Sequence, residues 1–365
     1  MTIAEVLKSA GYATGIFGKW HLGDQPPFLP TRQGFDYFFG IPYSDDMTKD
    51  KFPDAWPELP LMRNEKVIEA PPDRNYLVKR TTDEVVAFLE RSKDRPFFAY
   101  IPHTMPGSTA HPFSSPAFRG KSKNGDYGDS VEELDWSTGA IMAALKRLGL
   151  ADNTLFIWTS DNGAVTRNPA QGSSAPYRGF GYDTSEGAMR MPCVMRWPGK
   201  IPAGKVQDAL CSTMDMLPTV AQLTGAAQPA RPIDGRDIRP ILFSEPDAKS
   251  HWDDDGFGFY RRGQLQAVRA GQWKLYLPLE KKLITNATKT SANPVPPQLY
   301  DVRNDVHEDR ELSAQHPDVV KRLTALAERI RGEIGDDDTP GTGQRPAGNV
   351  DIPVPLLLQG AKPPR

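Results

Sequence analysis

Apolar positions along this chain come in short runs, separated by longer polar stretches rich in Pro and Gly. Ile3, Val6, Leu7 and Ala10 recur at helical spacing and Gly11 closes the turn, which predicts a first helix. Residues 12–17 then read as a strand. An aromatic stretch, 31–40, is expected to be a wall-forming loop, and residues 43–72 a long polar excursion near a substrate mouth. Residues 77–91 form an amphipathic helical pattern. Residues 96–103 read as a second buried strand that ends in His103. A long helix is predicted over 126–148, with Val131, Leu134, Trp136, Ile141, Leu145 and Leu148 as its apolar positions and Gly149 as its stop. The run Leu155-Phe156-Ile157-Trp158-Thr159 ends abruptly in Ser160-Asp161-Asn162-Gly163. That predicts a buried parallel strand delivering a carboxylate and an amide at its carboxyl end.

Further along, residues 189–199 predict another strand and 212–223 a helix capped by Gly225. Short strands follow at 256–261, 265–269, 273–277 and 298–302, then a helix at 317–334. Helix, strand and carboxyl-end ligand repeat in the first part, which is the grammar of an α/β fold with a mostly parallel sheet between helices. Short sequential strands and one helix in the second part predict a small C-terminal α+β antiparallel domain. The expected organisation is therefore a core at 1–250, the small domain at 251–335 and a flexible or draped tail at 336–365.

Composition narrows the function. The chain has 365 residues, of which 25% are charged, with a formal net charge of -2. That balance argues against nucleic acid or an anionic membrane surface as the main partner. No apolar run is long enough to predict a membrane-spanning helix. The two cysteines, Cys193 and Cys211, fit no metal spacing and are expected to be buried thiols. Thirty-five prolines and 31 glycines point to long ordered loops around a sheet.

Candidate chemistry lies at the predicted strand ends. Asp161 and Asn162 offer two hard oxygen donors suited to Ca²⁺ or Mg²⁺. Lys19 and His21, in Gly18-Lys19-Trp20-His21-Leu22-Gly23, are two apart, so at a strand end they project to one side. A cation and an imidazole aimed together suit an anionic group under attack. His103 would converge on the same sheet edge.

The stretches 16–23, 96–103, 159–163 and Glu186-Gly187-Ala188-Met189-Arg190, in this order and spacing, resemble the sulfatase family of the arylsulfatase type. Leu299-Tyr300-Asp301-Val302, Glu308 and Leu312 agree, and the similarity runs from about residue 2 to about residue 334. The resemblance implies an alkaline-phosphatase-like core with a small C-terminal sheet. It implies hydrolysis of sulfate esters with a Ca²⁺ ion and a formylglycine, made from Cys or Ser, whose hydrate attacks sulfur. Asp161 and Asn162 would be Ca²⁺ ligands, and Lys19 would hold the formylglycine hydroxyl and a sulfate oxygen. His21 would position the formylglycine and His103 would protonate the leaving alkoxide. The substrate would be a small-molecule or glycan sulfate ester, met in the periplasm or outside the cell.

Two departures from the family pattern are visible. The family's opening segment, with a pair of Asp ligands and the Cys/Ser-x-Pro-x-Arg motif, has no counterpart before residue 16, so a chain begun at an internal Met is expected. Ser174-Ala175-Pro176-Tyr177-Arg178 fits that motif literally, but after the Asp161 strand and with no Thr-Gly-Arg behind it. The family's sulfate-binding Lys falls on Gly181, and Arg178 is the expected replacement. A phosphate or phosphonate ester hydrolase of the same superfamily and a non-catalytic, degenerate sulfatase are the alternative readings.

Overall fold

A computed structural model describes residues 1–168, 170–280, 295–337 and 339–360. Its contacts divide the chain into two units, each assembled from separate stretches. One comprises Met1–Thr154, Thr213–Asp237 and Gly348–Arg365; the other comprises Leu155–Ser212 and Ile238–Ala347.

The first unit is an α/β sandwich around strand β1 (Ala13–Lys19). Helix α1 (Ile3–Ser9) leads into it. Thr2 caps α1 and Glu5 reaches back to the Thr2 N–H, so two orphan donors are met reciprocally. β1 lies parallel between β2 (Tyr37–Ile41) and β5 (Phe97–Tyr100). The hairpin β3 (Leu61–Arg63) and β4 (Lys66–Glu69) extends the sheet antiparallel beyond β2. Helices α2 (Leu77–Ser92) and α3 (Gly125–Arg147) pack on each other. Ala4, Ile16, Trp20, Leu29, Phe35, Phe38 and Met62 form a core cluster. The short helix α5 (Met216–Thr224) contacts α1 and ends on left-handed Gly225.

Several expectations are corrected here. Residues 37–41 are not loop but a buried strand, because Gly40 lets β2 close on β1. A Cβ at Gly40 would stand 1.8 Å from the Gly18 carbonyl oxygen. The excursion at 43–72 folds back as the β3–β4 hairpin, turning at Asn64 with φ 53°. β5 is only half-buried, since it has β1 on one side and no strand on the other. On α3, Val131 and Trp136 are exposed. The buried stripe instead runs Asp129, Ser130, Glu133, Ser137, Ile141, Ala144 and Leu145. Its first half is polar, so hydropathy alone pointed to the wrong face.

The second unit holds β6 (Phe156–Thr159), the turn-long helix α4 (Glu186–Met189) and β7 (Cys193–Arg196). The strand expected to be buried and parallel is β6; among the described residues it pairs with β7 alone, antiparallel, and it is half to fully exposed. An apolar run specifies that burial is possible, not which neighbour supplies it or how that neighbour runs. Both cysteines are exposed and outside any disulfide, because Cys193 sits on this exposed ladder.

Short helices α6 (Arg239–Leu242) and α7 (Trp252–Asp255) precede the antiparallel meander β8 (Phe257–Arg261), β9 (Gln264–Ala270), β10 (Trp273–Tyr276) and β11 (Gln298–Asp301). Helix α8 (Pro317–Ile334) lays Leu323, Ala327 and Ile330 on Leu265, Val268, Leu275 and Leu299. Just beyond α8, β12 (Gly335–Asp336) pairs with β13 (Thr339–Pro340). In the first unit, Val354 exchanges two hydrogen bonds with the Gln25 side chain, at 2.7 and 3.1 Å, and Leu356 packs on its core cluster.

Candidate functional site

In the first unit the chemistry gathers where β1 and β5 end. Gly18 is needed there: its φ is 129°, and a Cβ would lie 2.0 Å from the Pro102 carbonyl oxygen. The Lys19 N–H donates to that same oxygen at 2.7 Å, which fixes Lys19 beside the segment carrying His103. β1 stops at Lys19. His21 is exposed and has φ 62°, so the strand alternation expected to align it with Lys19 has already ended.

His103 is half-buried as a residue, but its Nδ1 is enclosed and meets no hydrogen-bond partner. Its Nε2 lies 3.2 Å from Ser137 Oγ on α3. Burial pulls the imidazole down from its ordinary 6.5 to about 4, so the resting ring is neutral.

Other buried polar atoms of this unit are also unpartnered: Tyr43 Oη, Asp45 Oδ2 and Thr104 Oγ1. Asp45 was placed by sequence only within a polar loop, yet it is 1% exposed. Its Oδ1 accepts a long bond of 3.4 Å from the Ser108 N–H. Burial pushes its carboxyl up, against the pull of Arg74 and Lys19. Buried polar atoms normally find partners, so unpartnered ones are where the polar groups of a ligand would complete the set. The sequence signal for it was the acidic pair Asp45-Asp46 inside a segment read as a polar excursion, which in the structure also buries Tyr43, Ser44, Thr48 and Leu59.

In the second unit, Asp161 and Asn162 follow β6. The Asn162 Nδ2 donates to the Gly163 carbonyl at 2.9 Å, which turns its oxygen away from that contact. The loop is clamped by backbone. The Gly163 N–H donates to Ala188 O at 2.9 Å, and the Gly181 N–H to Ala164 O at 2.7 Å. A Cβ at Gly163 would be 1.9 Å from Gly187 O, and one at Gly181 2.5 Å from Gly163 O. Position 181 is thus filled by close backbone approach and has no room for a lysine without moving the Asp161–Asn162 loop. Ser174, first residue of the motif-like stretch, has its hydroxyl enclosed without a partner.

Arg178 is engaged elsewhere than expected of a substrate cation. It pairs with Glu308 at 2.5 Å and lies over the rings of Tyr276 and Tyr300, at 5.4 and 5.1 Å. Glu308 also accepts from Tyr276 Oη at 2.7 Å and faces Lys274 at 3.5 Å. Lys274 is fully buried and reaches Glu186 of α4 at 3.1 Å, while Arg269 holds the other Glu186 oxygen. Burial alone would raise the Glu186 carboxyl; Lys274, Arg269 and Arg190 hold it below its ordinary range. The C-terminal sheet thereby grips α4, and α4 grips the Asp161–Asn162 loop. Sequence reasoning did not find this ionic cluster, since Glu186, Lys274 and Glu308 are far apart in the chain.

Asp161 and Asn162 have the hard oxygen chemistry Ca²⁺ prefers, but they are two donors where the ion takes roughly six to eight. Among the described residues no group of three or more His, Cys, Asp or Glu is arranged to hold a metal. The described residues therefore do not make a complete calcium site.

Known proteins place this chain among relatives. Residues 1–226 match the Sulfatase family, and residues 253–344 match the C-terminal region of aryl-sulfatase. The chain is 35% identical to arylsulfatase A of Homo sapiens over 361 residues, which is 89% of this chain and 70% of that protein. It is 31% identical to steryl-sulfatase of Mus musculus over 432 residues, 92% of this chain and 68% of that one. A structure from work on glycosaminoglycan metabolism by Bacteroides thetaiotaomicron superposes with a TM-score of 0.75 at 28% identity, covering 91% of this chain and 82% of that chain.

Proposed function

Because the chain belongs to the sulfatase family, we propose that it serves in the hydrolysis of sulfate esters, of the arylsulfatase kind. The observation that carries this reading is the set of unpartnered buried polar atoms on Tyr43, Asp45, His103 and Thr104, with Lys19 acting on Asp45, inside the family-matched region. Negative charge grows on sulfate oxygens and on the leaving oxygen in such a reaction. A cation and a proton donor must meet it.

On this reading Lys19 binds a sulfate oxygen and His21 steadies the nucleophile. His103, neutral at rest, takes up a proton and then passes it to the ester oxygen that leaves. Asp161 and Asn162 contribute two ligands to a Ca²⁺, and Arg178, held by Glu308, supplies the cation for the substrate in place of the lysine absent at Gly181. A formylglycine would supply the nucleophile and Ca²⁺ would polarise sulfate; neither step is assigned to residues here. Among the described residues no helix is long and apolar enough to cross a membrane, and a secreted or periplasmic setting with sulfated small molecules or glycans as substrates fits the relatives.

The test is sulfate release from aryl sulfates by the purified protein with added Ca²⁺, alongside calcium titration calorimetry. Turnover is expected to disappear in Lys19→Ala, and calcium binding in Asp161→Ala. Unchanged calcium affinity in Asp161→Ala removes it as a ligand, and turnover that survives Lys19→Ala removes the sulfate role.

A further inference from the structure

Three hydroxyl and carbonyl groups stand behind His103, and their order decides where its proton sits. Thr82, on α2, donates its hydroxyl proton to the Val78 carbonyl one turn back, at 2.8 Å. That proton is then committed. Thr82 Oγ1 and Ser137 Oγ, on α3, are 2.6 Å apart, and with Thr82 already donating, Ser137 must be the donor between them. Ser137 has now spent its one proton. It can only accept from His103 Nε2, 3.2 Å away. Thr82 and Ser137 are 2% and 0% exposed, so no solvent competes for these bonds.

From this chain we infer that Thr82 and Ser137 are positioning residues that lock neutral His103 as the Nε2–H tautomer, leaving Nδ1 as the lone pair that must take up a proton before the ring can give one to the leaving oxygen. Nδ1 is the enclosed nitrogen with no protein partner. The donor sequence therefore assigns the two ring nitrogens opposite duties: Nε2 anchors and Nδ1 reacts. The kinetic part of this inference rests on the sulfatase reading above; the tautomer does not.

The experiment is ¹⁵N NMR of histidine-labelled protein near pH 7, with the His103 signals assigned by their loss in His103→Gln. The directly bonded proton is expected on Nε2 of His103. Thr82→Val frees the Ser137 hydroxyl to turn and donate to Nε2, so the proton is expected to move to Nδ1. Thr82→Ser restores the original pattern. A wild-type proton on Nδ1, or an unchanged Nε2–H in a folded Thr82→Val, overturns the inference. If Thr82→Val does not fold, Ser137→Ala serves in its place: loss of the single locked tautomer is expected, and an unmoved one overturns it.

Turnover adds a second readout. In Thr82→Val, sulfate esters with poor leaving groups are expected to slow by at least tenfold more than activated aryl sulfates, with KM little changed. Equal slowing of both, with the NMR result intact, means Nδ1 is not the reacting atom. Absence of sulfate release by the wild type, with the tautomer found on Nε2, sinks the sulfatase reading and leaves the assignment standing.

Discussion

Two buried polar clusters in this molecule are built on opposite terms. Around Lys274 every charge has an opposite neighbour: Glu186 meets Lys274 and Arg269, and Glu308 meets Arg178, Lys274 and Tyr276. Around His103 and Asp45 the buried atoms include His103 Nδ1, Asp45 Oδ2, Tyr43 Oη and Thr104 Oγ1, none with a partner. The first cluster is ion-paired throughout, and even Glu308 Oε1, which makes no hydrogen bond, faces Lys274. The second holds atoms whose desolvation is uncompensated until something binds. Ion-paired polar burial fixes a fold, and polar burial with neither ion pair nor hydrogen bond leaves groups for a ligand to complete.

The contrast breaks most visibly at Lys274. Lys274→Met removes the cation shared by Glu186 and Glu308, and such a loss within a buried pair costs roughly 3–5 kcal/mol. Urea unfolding should show it; a cost under about 1 kcal/mol would make the cluster no more than a surface-like pair. A smaller effect separates His103. Its folded pKa of about 4 lies below the ordinary 6.5, so between those values the unfolded chain takes up a proton that the folded one refuses. The contribution is full above pH 6.5 and is lost as pH falls toward 4. Between pH 7 and pH 5 it removes roughly 2 kcal/mol, and His103→Gln should flatten the stability profile by that amount. The smallest effect sharpens the comparison. Burial raises the Asp45 carboxyl, so its favourable contribution is complete below the unfolded pKa and is lost as pH rises through the folded one. Asp45→Asn should therefore stabilise the protein at neutral pH by roughly 0.5–2 kcal/mol while lowering turnover. A melting temperature that falls instead would show that Asp45 already has its partner.

Legibility followed the reach of each signal. The C-terminal meander was plain because its strands are short and β8, β9 and β10 follow one another through two-residue turns. The helices were plain from periodicity and from stops such as Gly225. β2 was missed because its key is Gly40 against Gly18, a contact between strands that no local pattern encodes. β6 was found but its burial and direction were not, since four apolar residues say nothing of their neighbour. Among the candidate residues, Lys19, His21, His103, Asp161 and Asn162 stood in short motifs and could be named. Asp45, Ser137 and Thr82 were not singled out: one lay in a polar excursion marked only by its acidic pair, and the other two sit on helices where a hydroxyl reads as filler. The role first given to Arg178 depended on Glu308, 130 residues away.

The row of hydroxyls behind His103 also has a direction. Every proton in it points away from the imidazole and ends on the Val78 carbonyl, a group with none to pass on. It is a wire with a dead end: it can hold the ring but cannot recharge it. Whatever proton Nδ1 surrenders in one turnover must be fetched for the next from the substrate side. The interior therefore sets the ring's orientation and leaves the supply of its hydrogen ions to whatever binds at Nδ1.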